Sequence, residues 1–543
     1  MDSLNEGDPL IGYAWHLNNT GQKVFSQVNG IAGYDLGLQN TWSKQIFGEG
    51  IKIQISDDGV DQKHEDLAEN FLVTKEYRDY LVKNWLSFTA LPSEVDFHGT
   101  SVSGLIAAVG WNGKGSRGVA PKAKMIATNF MSNDVTKTSD IIADQAKGDV
   151  DLVNMSWGYS QTSYTSIDAS FADQLKYGVE NGRTGKGKIY VRSSGNSRIE
   201  MVGRTVNEYR IGVGNFDGNN ITPYTINVGA FFSNGKNAYY SSPGSHLWIS
   251  APGGEDGIDS PAMITTDRTG CLLGYANQSV TGDYKIMGGG FQLGANGNNN
   301  CNYTASFNGT SSAAPNVTGS IALLLQAHPQ LNWRDVKYIL AKTALKAQAD
   351  SAQNENYLYL QNPTRFANQK SPVGYIWDDG WTINQAGFNF HNLFGFGIIN
   401  VDAAIEYAKS YSSLFQQVQS QFDYNSTGLN LSIPDNNKDG VESLVSVTDN
   451  IRIEAIQIKV TLTHSNVGEL AVELISPRGD RSVVVPMNNS LDGTSNYAGY
   501  TFLTNRFFME SSAGNWKLKI VDGRSGNTGN LTSWKLSFYG VQQ

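Results

Sequence analysis

The sequence predicts an α/β domain with a parallel sheet flanked by helices, followed by an all-β domain. Three observations carry this. Ile51, Ile53 and Ile55 alternate with polar residues as a strand does and run directly into Ser56, Asp57, Asp58, Gly59. Small and apolar runs over 101–109 and 321–325 read as close-packed helices, each opening just after a short polar segment. Beyond about residue 411, helix-compatible sequence gives way to short strand patterns over 453–462, 470–476, 482–485, 516–521 and 534–539, separated by polar, Gly-containing turns. The expected division is 1–411 and 412–543.

Each junction places chemistry at an element's end. A carboxylate at the C-terminal end of a parallel strand faces the edge where such sheets bind ligands, which points to Asp57. Asp96, Phe97, His98, Gly99, Thr100 precede the first helix, and among seven histidines only His98 is followed by Gly and Thr. The segment Phe307, Asn308, Gly309, Thr310, Ser311, Ser312, Ala313, Ala314, Pro315 presents Ser311 at a tight turn opening into the second helix. Pro315 falls near that helix's start, where a missing N–H is least harmful. The unpaired amides and positive dipole end beside Ser311 suit an oxyanion.

The chain order Asp57, His98, Ser311 and these contexts resemble the subtilisin solution to serine catalysis. So do Gly118, Val119, Ala120, Pro121, then Asn154, Met155, Ser156, Trp157, Gly158, and Ser193, Ser194, Gly195, Asn196. The resemblance implies that His98 acts as general base and acid, that Asp57 holds its tautomer, and that Asn196 and the Ser311 amide stabilise the oxyanion. It narrows to the kexin and furin-like proprotein convertases and their bacterial secreted relatives. The features are Asp8, Pro9, Leu10 with Trp15, His16, Leu17, the doubled aspartate Asp57, Asp58, and Phe394, Gly395, Phe396, Gly397, Ile398. Thr463, His464, Ser465 and the segment from Gly468 through Ser476, Pro477, Arg478, Gly479 resemble that family's P domain, a jelly-roll sandwich.

The resemblance also implies a substrate. Ser156, Trp157 and Gly158 would line the cleft. Asp217, in Phe216, Asp217, Gly218, matches the family's S1 aspartate, and Asp58 and Asp96 match acids at S2, favouring Lys or Arg at P1 and a basic residue at P2. Asp140 and Asp168 approach further acids with spacing off by one. Tyr159, Ser160, Gln161, Thr162 stand where furin-like enzymes carry an acidic run that binds calcium beneath S1, and Gly212 and Ser242 replace that ion's other carboxylates. Stringent dibasic selectivity is therefore not implied, and a broader trypsin-like preference is the alternative. A different calcium site is implied, with side-chain ligands from Asp8, Asp66 and Asn112 and carbonyl oxygens from the loop that contains Val109, Lys114 and Ser116. Its role would be to pin the N-terminal arm. Asp435, Asn437, Asp439, Gly440 resemble an EF-hand loop only superficially, since Ser446 stands at position twelve.

Composition agrees with an exported, extracellular hydrolase. At 543 residues the chain can bury two cores, and a net charge of −9 argues against nucleic acid as a partner. No apolar run is long enough to span a membrane. Met1 is expected to begin a mature or expressed chain without its signal or any propeptide, and a propeptide or external chaperone is the implied folding partner. Cys271 and Cys301, the two cysteines present, are expected to form one disulfide; neither C-x-x-C nor H-E-x-x-H occurs. Three functions follow: an endoprotease cutting after basic residues, an inactive scaffold whose P domain binds partners, and a serine hydrolase acting mainly on esters.

Overall fold

The computed structural model describes residues 7–72, 96–131, 145–198, 200–202, 208–281, 289–347, 374–376, 378–415 and 418–543. Asp140 lies outside them. Six strands form the central sheet: β1 (Lys52–Asp57), β2 (Lys124–Asn129), β3 (Leu152–Met155), β4 (Ile189–Ser193), β5 (Thr225–Phe231) and β6 (Ile249–Pro252). Their order is β2-β1-β3-β4-β5-β6, with every pairing parallel. These strands are buried along almost their whole length, which is why they read as near-continuous apolar runs. The chain reverses its direction of sheet growth at β1, so the ends of β1 and β3 frame the crevice where such a sheet binds ligands.

Helices α1 (His98–Ala107), α2 (Ala169–Asn181), α3 (Thr310–Ala327), α4 (Trp333–Thr343) and α5 (Val401–Ala408) surround the sheet. Small residues let α1 and α3 approach their neighbours. A Cβ on Gly104 would lie 2.3 Å from Thr266 Oγ1, and one on Gly319 would lie 2.6 Å from Val119 Cβ. Helix α4 starts on a capping box of Asn332 and Asp335. Asp168, considered above as a distant subsite acid, instead caps α2 by accepting from the Phe171 amide at 3.0 Å.

After α5 ends at Ala408, the first sandwich strand begins at Ser420, so the expected boundary at 411 lies in this connection. One antiparallel sheet orders Ser420–Ser426, Gly529–Gln542, Ile451–His464 and Tyr497–Thr504; the other orders Asn437–Val447, Gly514–Asp522, Leu470–Ile475 and Arg481–Val485. Alternate residues such as Ile456, Ile458, Val460 and Leu462 enter the core between them. That core also takes in Ile211, Val213 and Phe216 of the first domain. The contact is polar as well: Asn215 Nδ2 donates to Val484 O and Leu503 O at 3.2 Å each, and Leu503 N donates to Asn215 Oδ1 at 2.9 Å.

Arg334 of α4 pairs with Glu454 of the sandwich through two hydrogen bonds, the Nε one at 2.6 Å, with both side chains almost wholly buried. Removing one member of such a pair leaves a buried charge uncompensated, at a cost of about 3–5 kcal/mol. Glu454→Ala should therefore lower the unfolding temperature measured by calorimetry by several degrees. An unchanged temperature would show that the pair does not join the domains.

Candidate active site

The site gathers at the C-terminal edge of the sheet. Asp57 ends β1 and is fully buried; His98 opens α1. The His98 Nδ1–H donates to Asp57 Oδ1 at 2.7 Å, and the same oxygen accepts from Asp58 N at 2.9 Å. Burial lowers the affinity of His98 for a proton, but the charge and hydrogen bond of Asp57, with Asp58 nearby, raise it to about 9.

Asp58, expected at S2, does different work. Its Oδ2 accepts from the amides of Phe97 at 3.0 Å and His98 at 2.9 Å, and its Oδ1 accepts from Gly99 at 2.6 Å. Phe97 is the N-cap of α1 but offers no side-chain oxygen, so Asp58 caps the helix from the adjacent strand. Desolvation and Asp57 push its carboxyl up to about 6. The expectation of a free S2 carboxylate is corrected: three of about four lone-pair directions are taken, and Asp58 fixes where His98 stands. Asp96 is half-buried two residues before His98, and its carbonyl accepts from Arg268 Nη1 at 2.7 Å.

Gly309 precedes α3 with φ of +98°, and a Cβ there would approach Asn196 Nδ2 to 3.0 Å, so only glycine fits this turn without strain. Pro315 is the sixth residue of α3 rather than part of its first turn, so it does remove an intrahelical bond, the one to the Ser311 carbonyl. Ser156 Oγ supplies that bond instead, donating to Ser311 O at 3.0 Å, while Ser311 Oγ donates to Ser156 O at 3.2 Å. Behind this reciprocal pair, Asn154 Nδ2 donates to Ser156 Oγ at 2.9 Å and Thr318 Oγ1 donates to Asn154 Oδ1 at 2.8 Å. Asn196 Oδ1 accepts from Thr310 N at 2.9 Å and Thr310 Oγ1 at 2.8 Å, which fixes the amide with Nδ2 toward the Gly309 turn.

Trp157 and Gly158 form a wall. Trp157 donates to Ser56 O at 3.0 Å and stacks on Phe130. A Cβ on Gly158 would lie 2.7 Å from Asp217 Oδ2 and 3.0 Å from Arg192 Nη2, so those two groups sit directly behind it. Asp217, expected as a free S1 acid, is fully buried and engaged: Oδ2 accepts from Arg192 Nη2 at 2.8 Å and Tyr159 N at 3.0 Å, and Oδ1 accepts from Asn219 N at 2.9 Å. The expectation is corrected because the carboxylate already has its counter-ion. Gln161, below this wall, accepts from Ser242 Oγ at 3.1 Å, while Ser490 of the sandwich donates to its carbonyl at 2.6 Å. Cys271 and Cys301 are bridged, as expected.

The implied calcium set divides. Asp8 is corrected as a ligand: Oδ1 accepts from Asn112 N at 3.0 Å and Gly113 N at 3.3 Å, Oδ2 from Trp111 N at 2.9 Å and Arg117 Nε at 2.7 Å. That fills its lone pairs, and Arg117, stacked 4.1 Å over Trp111, pins the arm. Asp66 fits a cation better. Burial pushes its carboxyl up to about 8, Oδ1 accepts from Asn112 Nδ2 at 2.7 Å, and Oδ2 is buried without a partner.

Sequence reasoning missed Arg192, Arg117 and Thr318, and gave Asn154 no role of its own. A basic residue inside a strand buried on both faces was the available signal for Arg192.

Residues 48–397 match the model of the Subtilase family and residues 453–538 that of the Proprotein convertase P-domain. The chain is 33% identical to the Aeromonas extracellular serine protease of Aeromonas sobria, over 96% of this chain and 85% of that protein. It is 26% identical to Neuroendocrine convertase 2 of Drosophila melanogaster, over 99% and 73% respectively. The solved complex of the Aeromonas sobria serine protease with the chaperone ORF2 superposes with a TM-score of 0.84 at 29% identity, covering 99% of this chain and 96% of that one. With the cleft and the sandwich both accounted for, the chain belongs to the subtilase family of serine endopeptidases and carries a convertase-type P domain.

Proposed function

We propose that this chain is a secreted serine endopeptidase working through Asp57, His98 and Ser311. The observation that carries the reading is the convergence at one sheet edge of the Asp57–His98 pair, of Ser311 at a helix start, and of an Asn196 amide whose oxygen is tied back. For the reaction the Ser311 hydroxyl must leave the Ser156 carbonyl, to which it donates at 3.2 Å, and turn to His98 Nε2. His98 then removes its proton as Oγ attacks the scissile carbonyl, and returns it to the leaving amine; water cleaves the acyl-enzyme by the reverse roles. Asp57 stabilises the imidazolium, and Asn196 Nδ2 with the Ser311 amide receives the oxyanion.

Export is supported by the likeness to the Aeromonas extracellular serine protease of Aeromonas sobria. Among the described residues no helix is long and apolar enough to cross a membrane. The chaperone bound to that relative supports a folding partner, external or a propeptide, for this chain too. A structural cation, calcium by the resemblance, would be held by Asp66, Asn112 and the backbone of Val109, Lys114 and Ser116, with Arg117 rather than the ion neutralising Asp8. Selection of Lys or Arg at P1 is not carried forward, because Asp217 is already paired.

An active-site phosphonate should label Ser311 and abolish peptide hydrolysis; labelling elsewhere would defeat the proposal. Asn196→Ala should lower kcat by about 10² to 10³ with the fold intact. A kcat within a factor of about three of the parent would remove Asn196 from the oxyanion site. Because His98 must be neutral to act, kcat/KM should rise with pH, reach half its maximum near 9 and level off above that. The same raised affinity stabilises the fold fully below the ordinary histidine pKa and is lost as pH rises through about 9. A flat profile between those values contradicts this assignment. A calcium-specific chelator should lower the unfolding temperature, and an unchanged temperature would remove the cation.

A further inference from the structure

The base of the pocket behind Gly158 is built from one anion and one cation, both on rigid backbone. Arg192 belongs to β4, and Asp217 follows the turn clamped by the sandwich through Asn215. Both side chains have no solvent exposure. The guanidinium is fixed on three sides: Nη2 to Asp217 at 2.8 Å, Nε to Asn220 Oδ1 at 2.9 Å, and its face 4.5 Å from the centre of the Trp157 ring. Asn220 is itself held, its Nδ2 donating to Ser194 O and Gly214 O at 3.1 Å each. The remaining nitrogen, Nη1, is buried without an acceptor.

Two consequences follow. The pair sums to zero charge and is sealed from solvent, so a Lys or Arg side chain placed against Gly158 finds no free carboxylate to neutralise it. Burying an unpaired charge there costs more than the pocket returns. An uncharged side chain, by contrast, needs no counter-ion there.

Resting on the endopeptidase reading above, we propose that Arg192 is the specificity-determining residue of S1. By occupying Asp217 it converts an acid-based pocket into one that selects uncharged P1 side chains. The substrate class is therefore polypeptides cut after uncharged residues rather than after Lys or Arg.

The test uses the full chain and tetrapeptide coumarin amides differing only at P1: Lys, Arg, Gln and Leu. The parent should cleave the Gln and Leu peptides with kcat/KM at least about tenfold above the Lys and Arg peptides. Arg192→Met frees Asp217 and should raise Lys and Arg relative to Gln by about tenfold or more. Adding Asp217→Asn to that variant should cancel the gain, which a general loosening of the pocket would not do. Should Arg192→Met fail to fold, the parent's own P1 order decides. A parent that cuts fastest after Lys or Arg overturns the inference alone. Failure to hydrolyse any of the four peptides, with Ser311 unlabelled by phosphonate, overturns the endopeptidase reading and the inference with it.

Discussion

Burying carboxylates at the carboxyl edge of a parallel sheet is the constraint on which this cleft depends. An isolated carboxylate cannot leave water without a donor or a cation, and each acid here meets that demand differently. Asp57 takes the imidazole of His98, Asp58 takes three amides at the start of α1, and Asp217 takes Arg192. Which partner an acid acquires decides what it can do. An acid paired to a titratable ring can serve proton transfer, one paired to amides can only position, and one paired to a guanidinium is neutral toward a ligand.

The same logic reaches the nucleophile through a missing donor. Pro315 deprives the Ser311 carbonyl of its helical partner, and Ser156 fills the gap from the end of β3. Asn154 and Thr318 then tie β3 to α3 behind it. The serine is thus held to the pocket wall by a bond that exists because the helix carries a proline. Across the wall the sandwich holds Asn215, two residues before Asp217, so the P domain and the S1 base share one segment of chain. Glu454 adds a buried charge pair to that contact. The second domain is in this way a structural component of the cleft's floor.

Much of this was legible in the chain itself. The α/β and all-β halves follow from periodicity, and the segments around Asp57, His98 and Ser311 announce themselves because each joins an element end to a reactive side chain. What was not legible is pairing across the sheet. Asp217 has the spacing of an open acid, and nothing near it in sequence says that Arg192, 25 residues earlier on a buried strand, occupies it. Asp8 was misread for the same reason, since Arg117 and the amides of 111–113 come from a distant loop. Spacing locates carboxylates well; it does not report which of them are already neutral. Asp58 shows what else spacing leaves out, since a residue matched to a substrate role also accepts three amides at the start of the helix that carries His98.

These pairings also separate two properties that share the cleft. Burial and the charge of Asp57 bring the Asp58 carboxyl up to about 6, and Asp57 outweighs burial to raise His98 to about 9, so the proposed machinery for turnover responds to the pH of its surroundings. The Asp217–Arg192 pair behind Gly158 is instead a fixed contact at 2.8 Å, sealed from solvent. In the proposed reading turnover follows His98, while the groups that would select the substrate are fixed on β4 and on the turn clamped by the sandwich.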